Sequence, residues 1–137
     1  MVIIDYFSKY PEILLTDSIS SPRITSWLEE VFARFGNPEE LVSDNGPQFV
    51  SDEFKAFLAR KNIIHSLTAV YNPAQNGLVE VFNRSIKSAA QIASTQKSSF
   101  RSSLLDFLAS FRSTAPEHGE SPASLLFGWN LRSDSDI

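Results

Sequence analysis

The chain has 137 residues, 42% of them hydrophobic and 20% charged, which is enough for one globular domain with a sizeable core. It has no cysteine and only two histidines, which excludes disulfides and thiolate metal sites and argues against a zinc-binding module. Its net charge of −4 disfavours a broad nucleic-acid-binding surface, so any contact with DNA has to come from a local basic face.

The first half of the chain alternates apolar, β-branched runs with segments of helical periodicity. Ser20 and Pro22 are typical of a helix start, and Gly36 is typical of a helix end. Ser51 is placed to cap a second helix. The elements predicted here are, in order, a strand at 2–4, a strand at 12–15, a helix between Ser20 and Gly36, a strand at 41–43, a helix from 52 and a strand at 63–67.

The second half of the chain is predicted to be mainly helical. Residues 68–75 form a loop, and Asn76 is placed to cap the long helix that follows. One face of this helix is apolar, and the opposite face carries Glu80, Arg84, Lys87 and Gln91. After a polar break at 94–99, further helices are predicted at 100–111 and 123–127.

Together these elements predict a three-layer α/β fold with a mixed sheet. Five phenylalanines are predicted to lie in the core and not to stack on nucleobases: Phe7, Phe32, Phe54, Phe82 and Phe107. The residues predicted to be buried in the helix at 100–111 are Leu104, Leu105, Phe107, Leu108 and Phe111. Ligands of such sheets bind at the carboxyl ends of strands, and Asp44 occupies such an end.

Asp44 and Glu80 are the candidate metal ligands. Asp44 follows the strand at 41–43, Glu80 lies in the first turns of the long helix, and 35 residues separate them. Two-metal phosphoryl transfer needs clustered carboxylates, and carboxylate oxygens suit Mg²⁺ or Mn²⁺. Arg84 and Lys87 lie one and two turns further along the same helix face, where they can meet phosphates.

Simpler interpretations of the same residues stay open at this point. Residues 44–47 are all turn formers, and Glu80 with Arg84 also has the spacing of an exposed helical ion pair. Asp5 is a better candidate for a turn residue at a strand end than for a metal ligand. His65 is predicted to lie on the surface of the sheet.

Four separated signatures resemble the retroviral-type integrase catalytic core, and in particular the integrases of Ty3/gypsy-class LTR retrotransposons. They occur in the order of that family and cover nearly the whole chain. The matching segments are 5–12 (Asp-Tyr-Phe-Ser-Lys-Tyr-Pro-Glu), 42–49 (Val-Ser-Asp-Asn-Gly-Pro-Gln-Phe), 72–80 (Asn-Pro-Ala-Gln-Asn-Gly-Leu-Val-Glu) and 111–114 with 119–128.

The resemblance implies an RNase H-like fold and a D,D-35-E site for Mg²⁺ or Mn²⁺. Asp44 matches the second Asp of that site and Glu80 matches its Glu. The implied DNA-binding positions are Asn76 and Gly77, in the flexible turn before the catalytic helix, with Arg84 and Lys87 on that helix. The implied chemistry is polynucleotidyl transfer, in which water processes the 3′ end and the new 3′-hydroxyl attacks target DNA. The implied partners are retroelement ends, target DNA and, in the parent integrase, further copies of itself.

The chain departs from the family pattern at three points. Asn72 stands where the motif usually has His, and Val81 stands where Arg often follows the Glu. Both changes bear on DNA contacts more than on the metal. The first catalytic Asp of the family belongs to a strand that would precede Met1, and Asp5 matches a different position that is often acidic. We therefore expect an N-terminally truncated core over 1–137 that lacks the first central strand, with neither a zinc-binding nor a C-terminal DNA-binding domain.

The expected function is that of a retrotransposon integrase fragment, weak or inactive as an isolated chain because one metal ligand is missing. One alternative is a non-catalytic, host-adopted remnant that serves as a protein or nucleic-acid interaction module. Another is a different RNase H-like nuclease. The sequence shows no apolar run of membrane-spanning length and no signal-peptide pattern. Nuclear action is expected from the resemblance alone.

Overall fold

The structure, a computed structural model, describes residues 1–67, 73–96 and 99–132. In chain order the elements are β1 (Val2–Ile4), β2 (Pro11–Ile13), α1 (Ser21–Phe35), β3 (Glu40–Ser43), α2 (Pro47–Val50), α3 (Asp52–Arg60), β4 (Ile64–Leu67), α4 (Pro73–Gln96), α5 (Phe100–Ser113) and α6 (Pro122–Phe127). Within the described residues, β1 pairs antiparallel with β2, and β3 pairs in parallel with β4. The described strands thus form two small sheets, one antiparallel and one parallel, instead of the single mixed sheet that was predicted. The predicted α/β class is confirmed.

Two compact units divide the chain. The first comprises Met1 and Leu14–Ala74, and so contains α1, β3, α2, α3 and β4. The second comprises Val2–Ile13 and Gln75–Ile137, and so contains the β1–β2 hairpin, nearly all of α4, and α5 and α6. None of the helices among the described residues is long and apolar enough to cross a membrane.

The core of the first unit forms between α1 and α3. The buried residues of these two helices are Ile24, Trp27, Leu28, Val31, Phe32, Phe54, Phe57 and Leu58. The rings of Phe32 and Phe57 stack with their centroids 6.4 Å apart. Both predicted ends of α1 are confirmed. Ser20 Oγ accepts a hydrogen bond from the Arg23 amide at 3.4 Å, and Gly36, at a positive φ of 87°, ends the helix as glycine favours.

The two faces of the β3–β4 sheet differ in burial. Leu41 is buried and lies opposite His65, whose ring meets the fully buried Phe54 of α3 edge-on at 5.3 Å. On the other face, Val42 is 42% exposed and Ile64 is 63% exposed. Because side chains alternate between the faces of a strand, this pair packs one face on α3 and leaves the other open.

The core of the second unit joins the β1–β2 hairpin to α4 and α5. Phe82 of α4 is buried with Leu104 and Leu108 of α5. Partly buried residues packed around them are Val2, Ile4, Ile13, Ile86, Phe100, Phe107 and Phe111. The Phe82 ring lies 5.4 Å from the Phe107 ring and 5.1 Å from the Phe111 ring. Phe82 and Ile86 confirm the predicted apolar face of the long helix.

The start of α4 differs from the prediction. The helix begins at Pro73, so Asn76 is not its cap, and both Asn76 and Gly77 lie inside the helix. Proline is favoured at the first helical position because it has no N–H group to leave unsatisfied, and the alanine and glutamine that follow are good helix formers. The helix also runs to Gln96 and so takes in the first residues of the predicted break at 94–99.

Several predictions concern residues outside the described ranges. These are most of the predicted loop (68–72, with Asn72), part of the predicted break (97–98) and the tail (133–137).

Two residues predicted to be buried are exposed. Phe7, in the turn between β1 and β2, is 72% exposed, because Ser8 takes the buried position of this turn instead. Leu105 is 53% exposed, since the contact face of α5 follows Leu104 and Leu108, four residues apart. The apolar stripe of α5 is therefore wider than the surface that it buries.

Candidate functional site

Asp44 leaves the carboxyl end of β3 at the surface of the first unit. Its side chain is exposed, and its Oδ1 accepts a hydrogen bond from the Gly46 amide at 2.8 Å. The turn that follows leads into α2, a single helical turn that is not among the predicted elements. The predicted position of Asp44, a strand end followed by a turn, is confirmed.

Gly46 packs closely beside this carboxylate. A Cβ atom added at Gly46 would lie 2.8 Å from Gln48 Nε2 and 3.0 Å from Asp44 Oδ1. Both distances are shorter than ordinary contacts of a methyl group. A side chain at this position would therefore displace the end of the Gln48 side chain or the Asp44 carboxylate.

Ser43 and His65 form a hydrogen-bonded pair behind Asp44. Ser43 Oγ lies 2.7 Å from His65 Nε2 and donates to the Asp44 backbone carbonyl at 3.0 Å. Burial lowers the pKa of His65 below its usual value, and the charge of Lys55 lowers it further. His65 lies in β4 as predicted, but it is partly buried on the face that packs on α3 and does not lie on the open face of the sheet.

The second unit carries the other candidate residues on α4. Glu80, Arg84 and Lys87 are all exposed, as their predicted common face requires. Arg84 is one helical turn beyond Glu80, and Lys87 is a further turn along. Asp44 belongs to the first unit and these three residues to the second.

Asp5 serves as a turn residue, as predicted. Its Oδ2 accepts hydrogen bonds from the Ser8 amide at 2.9 Å and from Ser8 Oγ at 2.6 Å. These bonds close the hairpin between β1 and β2, in which Lys9 adopts a positive φ of 64°. The side chain of Asp5 therefore has a structural task within the hairpin.

The donor chemistry of Asp44 and Glu80 fits a hard divalent cation. Both side chains are exposed carboxylates, and Mg²⁺ binds through one or two carboxylates while it keeps several waters. Among the described residues, no group of three or more His, Asp or Glu side chains is arranged to hold a metal ion. Asp44 and Glu80 thus provide suitable oxygen ligands, but the described residues do not form a complete coordination shell for a metal ion.

Sequence reasoning missed the link between Ser43 and His65. The two residues are 22 positions apart, and they meet because parallel pairing sets Leu41 opposite His65 and Ser43 opposite Leu67. The available signal was a polar residue in each of two predicted strands, Ser43 at the end of one and His65 in the middle of the other. The pairing register was needed to use it.

The structure is a mixed α/β fold with an exposed aspartate at the end of a strand. Comparison of the chain with known proteins identifies its family. A model of the integrase core domain matches residues 1–73, just over half of the chain. This chain therefore belongs to the integrase core domain family. The matched segment includes Asp44 and its turn.

Sequence relatives extend the match over the rest of the chain. An uncharacterized protein of Caenorhabditis elegans is 36% identical, over 100% of this chain and 11% of that protein. The Pol polyprotein of Radiation murine leukemia virus (strain Kaplan) is 34% identical, over 93% of this chain and 22% of its own length. The Gag-Pol polyprotein of Feline leukemia virus is also 34% identical, over 93% of this chain and 8% of its own length. The chain thus spans less than a quarter of each relative.

Solved structures show the same fold. A chain of the simian T-cell lymphotropic virus intasome, solved in complex with PP2A regulatory subunit B56 gamma, superposes with a TM-score of 0.80 at 24% identity, over 96% of this chain and 49% of that one. The HTLV-2 integrase catalytic core in complex with magnesium, in its dimeric form, gives 0.73 at 23%, over 90% and 81%. The BIV integrase catalytic core gives 0.76 at 20%, over 93% and 84%. The fold is therefore the RNase H-like fold of integrase catalytic cores.

Proposed function

We propose that this chain is part of the catalytic core of a Ty3/gypsy-class retrotransposon integrase, a Mg²⁺-dependent polynucleotidyl transferase for DNA integration. The observation that carries the proposal is the integrase core match over residues 1–73, which contains Asp44 at the end of β3. The 35-residue interval to Glu80 and the relatives among viral Pol polyproteins support it.

Asp44 and Glu80 are the proposed metal ligands in this chain. A bound Mg²⁺ or Mn²⁺ would supply Lewis-acid polarisation of the phosphoryl oxygens. The magnesium complex of the HTLV-2 core supports this choice of ion. Arg84 and Lys87, exposed on the same helix as Glu80, would neutralise phosphates and hold the DNA in register. Asn76 and Gly77, at the start of α4, are proposed as further DNA contacts.

The 137 residues by themselves are proposed to be weak or inactive in strand transfer. The family site uses three carboxylates, and the resemblance assigns two of them within this chain. Removing a shared metal ligand leaves the ion less tightly held and the leaving oxygen less well stabilised. The dimeric, trimeric and intasome assemblies of the structural relatives support a homo-oligomer for the parent integrase. We propose nuclear DNA as the place of action.

Metal binding tests the proposed ligands directly. We expect Mn²⁺ to bind saturably and to broaden the NMR signals of Asp44 and Glu80 before those of other carboxylates. Asp44→Asn and Glu80→Gln should each weaken the binding. Matched controls are Asp17→Asn and Glu30→Gln, which remove exposed carboxylates of the first unit without touching either candidate. Equal effects of the candidate and control variants would contradict the metal site.

DNA binding tests the basic face of α4. On duplex DNA, the logarithm of the association constant falls linearly with the logarithm of the salt concentration. Each phosphate that the protein neutralises adds about 0.9 to the magnitude of this slope. The double variant Arg84→Ala/Lys87→Ala removes two cations and should therefore flatten this slope by about 1.8. The control is Arg101→Ala, an exposed arginine of α5. An unchanged slope in the double variant would place the DNA elsewhere.

Strand transfer separates the proposed enzyme ancestry from the interaction-module alternative. A longer polypeptide that supplies a third carboxylate should show Mg²⁺-dependent joining of DNA ends, and Asp44→Asn should abolish it. DNA or protein binding with no joining activity in that polypeptide would favour the non-catalytic remnant. Hydrolysis of RNA–DNA hybrids without joining would favour a different nuclease.

A further inference from the structure

The Ser43 hydroxyl links β3, β4 and the turn that carries Asp44. It is the last residue of β3, it lies 2.7 Å from Nε2 of His65 in β4, and it donates to the backbone carbonyl of Asp44 at 3.0 Å. The strand end from which Asp44 departs is therefore tied to the neighbouring strand through a side chain as well as through the backbone ladder.

The hydrogen-bond geometry at Ser43 leads us to expect a proton on Nε2 of His65. A serine hydroxyl carries one proton, which Ser43 donates to the Asp44 carbonyl. The 2.7 Å contact to His65 is then a hydrogen bond only if Nε2 donates to Ser43 Oγ. Both the Nε2–H tautomer and the imidazolium have a proton there, so the arrangement does not depend on the charge of the ring.

The His65 ring also packs against α3. Phe54, with 0% exposure, meets it edge-on at 5.3 Å and 69°. Phe54 lies in α3, whose first turn is capped by Ser51 Oγ accepting from the Phe54 amide at 3.2 Å. Helix α3 thus contacts His65 through Phe54, and His65 in turn contacts the Ser43 hydroxyl that donates to the Asp44 backbone carbonyl.

We propose that Ser43 and His65 are positioning residues for Asp44, which fix the direction in which its carboxylate leaves β3. Asp44 is held at two points, by Ser43 Oγ at its backbone carbonyl and by the Gly46 amide at its Oδ1. A carboxylate held in this way presents its remaining lone pairs in one direction. The value of that direction for metal binding rests on the proposed function, whereas the geometry does not.

The simpler interpretation is that the pair only fastens β3 to β4. The two interpretations differ in what a substitution changes. If the pair only joins the two strands, a substitution lowers the stability of the first unit and leaves the position of the Asp44 carboxylate unchanged. A positioning pair affects the Asp44 carboxylate even when the unit stays folded.

The first experiment needs no metal. Long-range ¹H–¹⁵N correlation spectra of the full chain should show His65 as the Nε2–H tautomer at neutral pH. Ser43→Ala should shift the side-chain carboxyl carbon of Asp44 and the amide of Gly46. Ser43→Thr, which keeps the hydroxyl, should leave both signals near their original positions. An Nδ1–H tautomer, or unchanged Asp44 and Gly46 signals in a folded Ser43→Ala variant, overturns the proposal.

The second experiment measures Mn²⁺ affinity together with thermal stability. Removing a hydrogen-bond partner behind a metal ligand typically costs at least tenfold in affinity, so we expect the dissociation constant of Ser43→Ala to rise about tenfold. His65→Leu should do the same, while Ser43→Thr and His65→Gln, which keep a donor or acceptor in place, should recover most of the loss. Affinity that falls only in proportion to stability, with no recovery in the conservative variants, refutes positioning.

The two proposals fail separately. If the unsubstituted chain binds no Mn²⁺, the metal role of Asp44 is wrong, and the positioning pair is then judged by the NMR signals alone. If Mn²⁺ binds and Asp44→Asn abolishes it while Ser43→Ala has no effect, the proposed function stands and the positioning pair does not.

Discussion

Arg112 is expected to be the main side-chain link between the β1–β2 hairpin and α5 in the second unit. Its Nη2 and Nε donate to the carbonyl of Pro11 at 2.7 and 3.2 Å. Its Nη2 also lies 3.4 Å from Glu12 Oε2, and its guanidinium lies 4.7 Å from the centre of the Tyr10 ring. Arg112→Met removes these interactions and keeps the apolar stem of the side chain.

The expected loss in the free energy of unfolding depends on how well these interactions are shielded from water. The side chains of Arg112 and Glu12 are only 18% and 17% exposed, so the pair is mostly buried. Hydrogen bonds from a charged donor contribute about 1.5–3 kcal/mol. A cation–π interaction contributes about 0.5–1 kcal/mol. Because the substitution also leaves Glu12 and the buried Pro11 carbonyl without this partner, we expect a total loss of about 3 kcal/mol.

Urea unfolding followed by circular dichroism measures this loss. With an m value of roughly 2 kcal/mol/M, the expected loss lowers the midpoint by about 1.5 M. Arg112→Lys should recover part of it, since an ammonium group can still donate to Pro11 but cannot make the forked hydrogen bond. Arg101→Met, at an exposed position of α5, is the matched control and should stay within about 0.5 kcal/mol of the parent chain.

Hydrogen exchange locates the effect. The Asp5 amide donates to the Tyr10 carbonyl at 3.0 Å within the hairpin, and its protection should fall in Arg112→Met. A variant that unfolds at the parent midpoint with an equally protected hairpin would refute the role assigned to Arg112. So would an Arg101→Met variant as unstable as Arg112→Met.

Three further predictions concern the first unit. The pKa of His65 in the folded chain is lowered below its usual 6.5, so the unfolded chain takes up a proton more readily than the folded one. The free energy of unfolding should therefore fall as the pH drops through about 6.5, and it should level off below the folded pKa. Denaturation at pH 8 and pH 5 should show this loss in the parent chain, and an equal loss in His65→Gln would contradict it. Gly46→Ala should displace Gln48 or Asp44, whose atoms lie 2.8 and 3.0 Å from the new Cβ, and lower Mn²⁺ affinity; unchanged affinity and an unshifted Asp44 carboxyl signal would show that the turn adapts freely. Ser51→Ala should cost about 1 kcal/mol through the missing cap of α3, with Ser51→Asp near the parent value, and thermal unfolding of both variants decides.

Local sequence patterns predict most of the elements in this protein. Ser20 and Gly36 delimit α1, and Ser121 and Gly128 delimit α6, because capping groups satisfy backbone N–H and C=O groups within a few residues of themselves. The apolar run before Asp44 and the turn formers after it place this residue at a strand end. The spacing of such features along the chain is enough to predict them.

Predictions that depend on neighbours beyond the local segment are less successful. The apolar pattern of α5 does not distinguish Leu105, which is exposed, from Leu104, which is buried, because the width of the partner surface decides between them. Phe7 is exposed for a similar reason, since the turn closed by Asp5 and Ser8 buries the serine. Asn76 carries a good cap signal, yet the helix starts at Pro73, three residues earlier.

The sequence by itself determined the fold class, the family signatures and the candidate pair of Asp44 and Glu80, because each depends on residue type and spacing along the chain. Only the tertiary structure decided which distant residues touch. Arg112 reaches a carbonyl 101 residues away, and Ser43 meets His65 across 22 residues. Helix packing in the second unit sets the first contact, and the β3–β4 register in the first unit sets the second. A one-residue shift in that register would turn the side chains of one strand to the other face of the sheet.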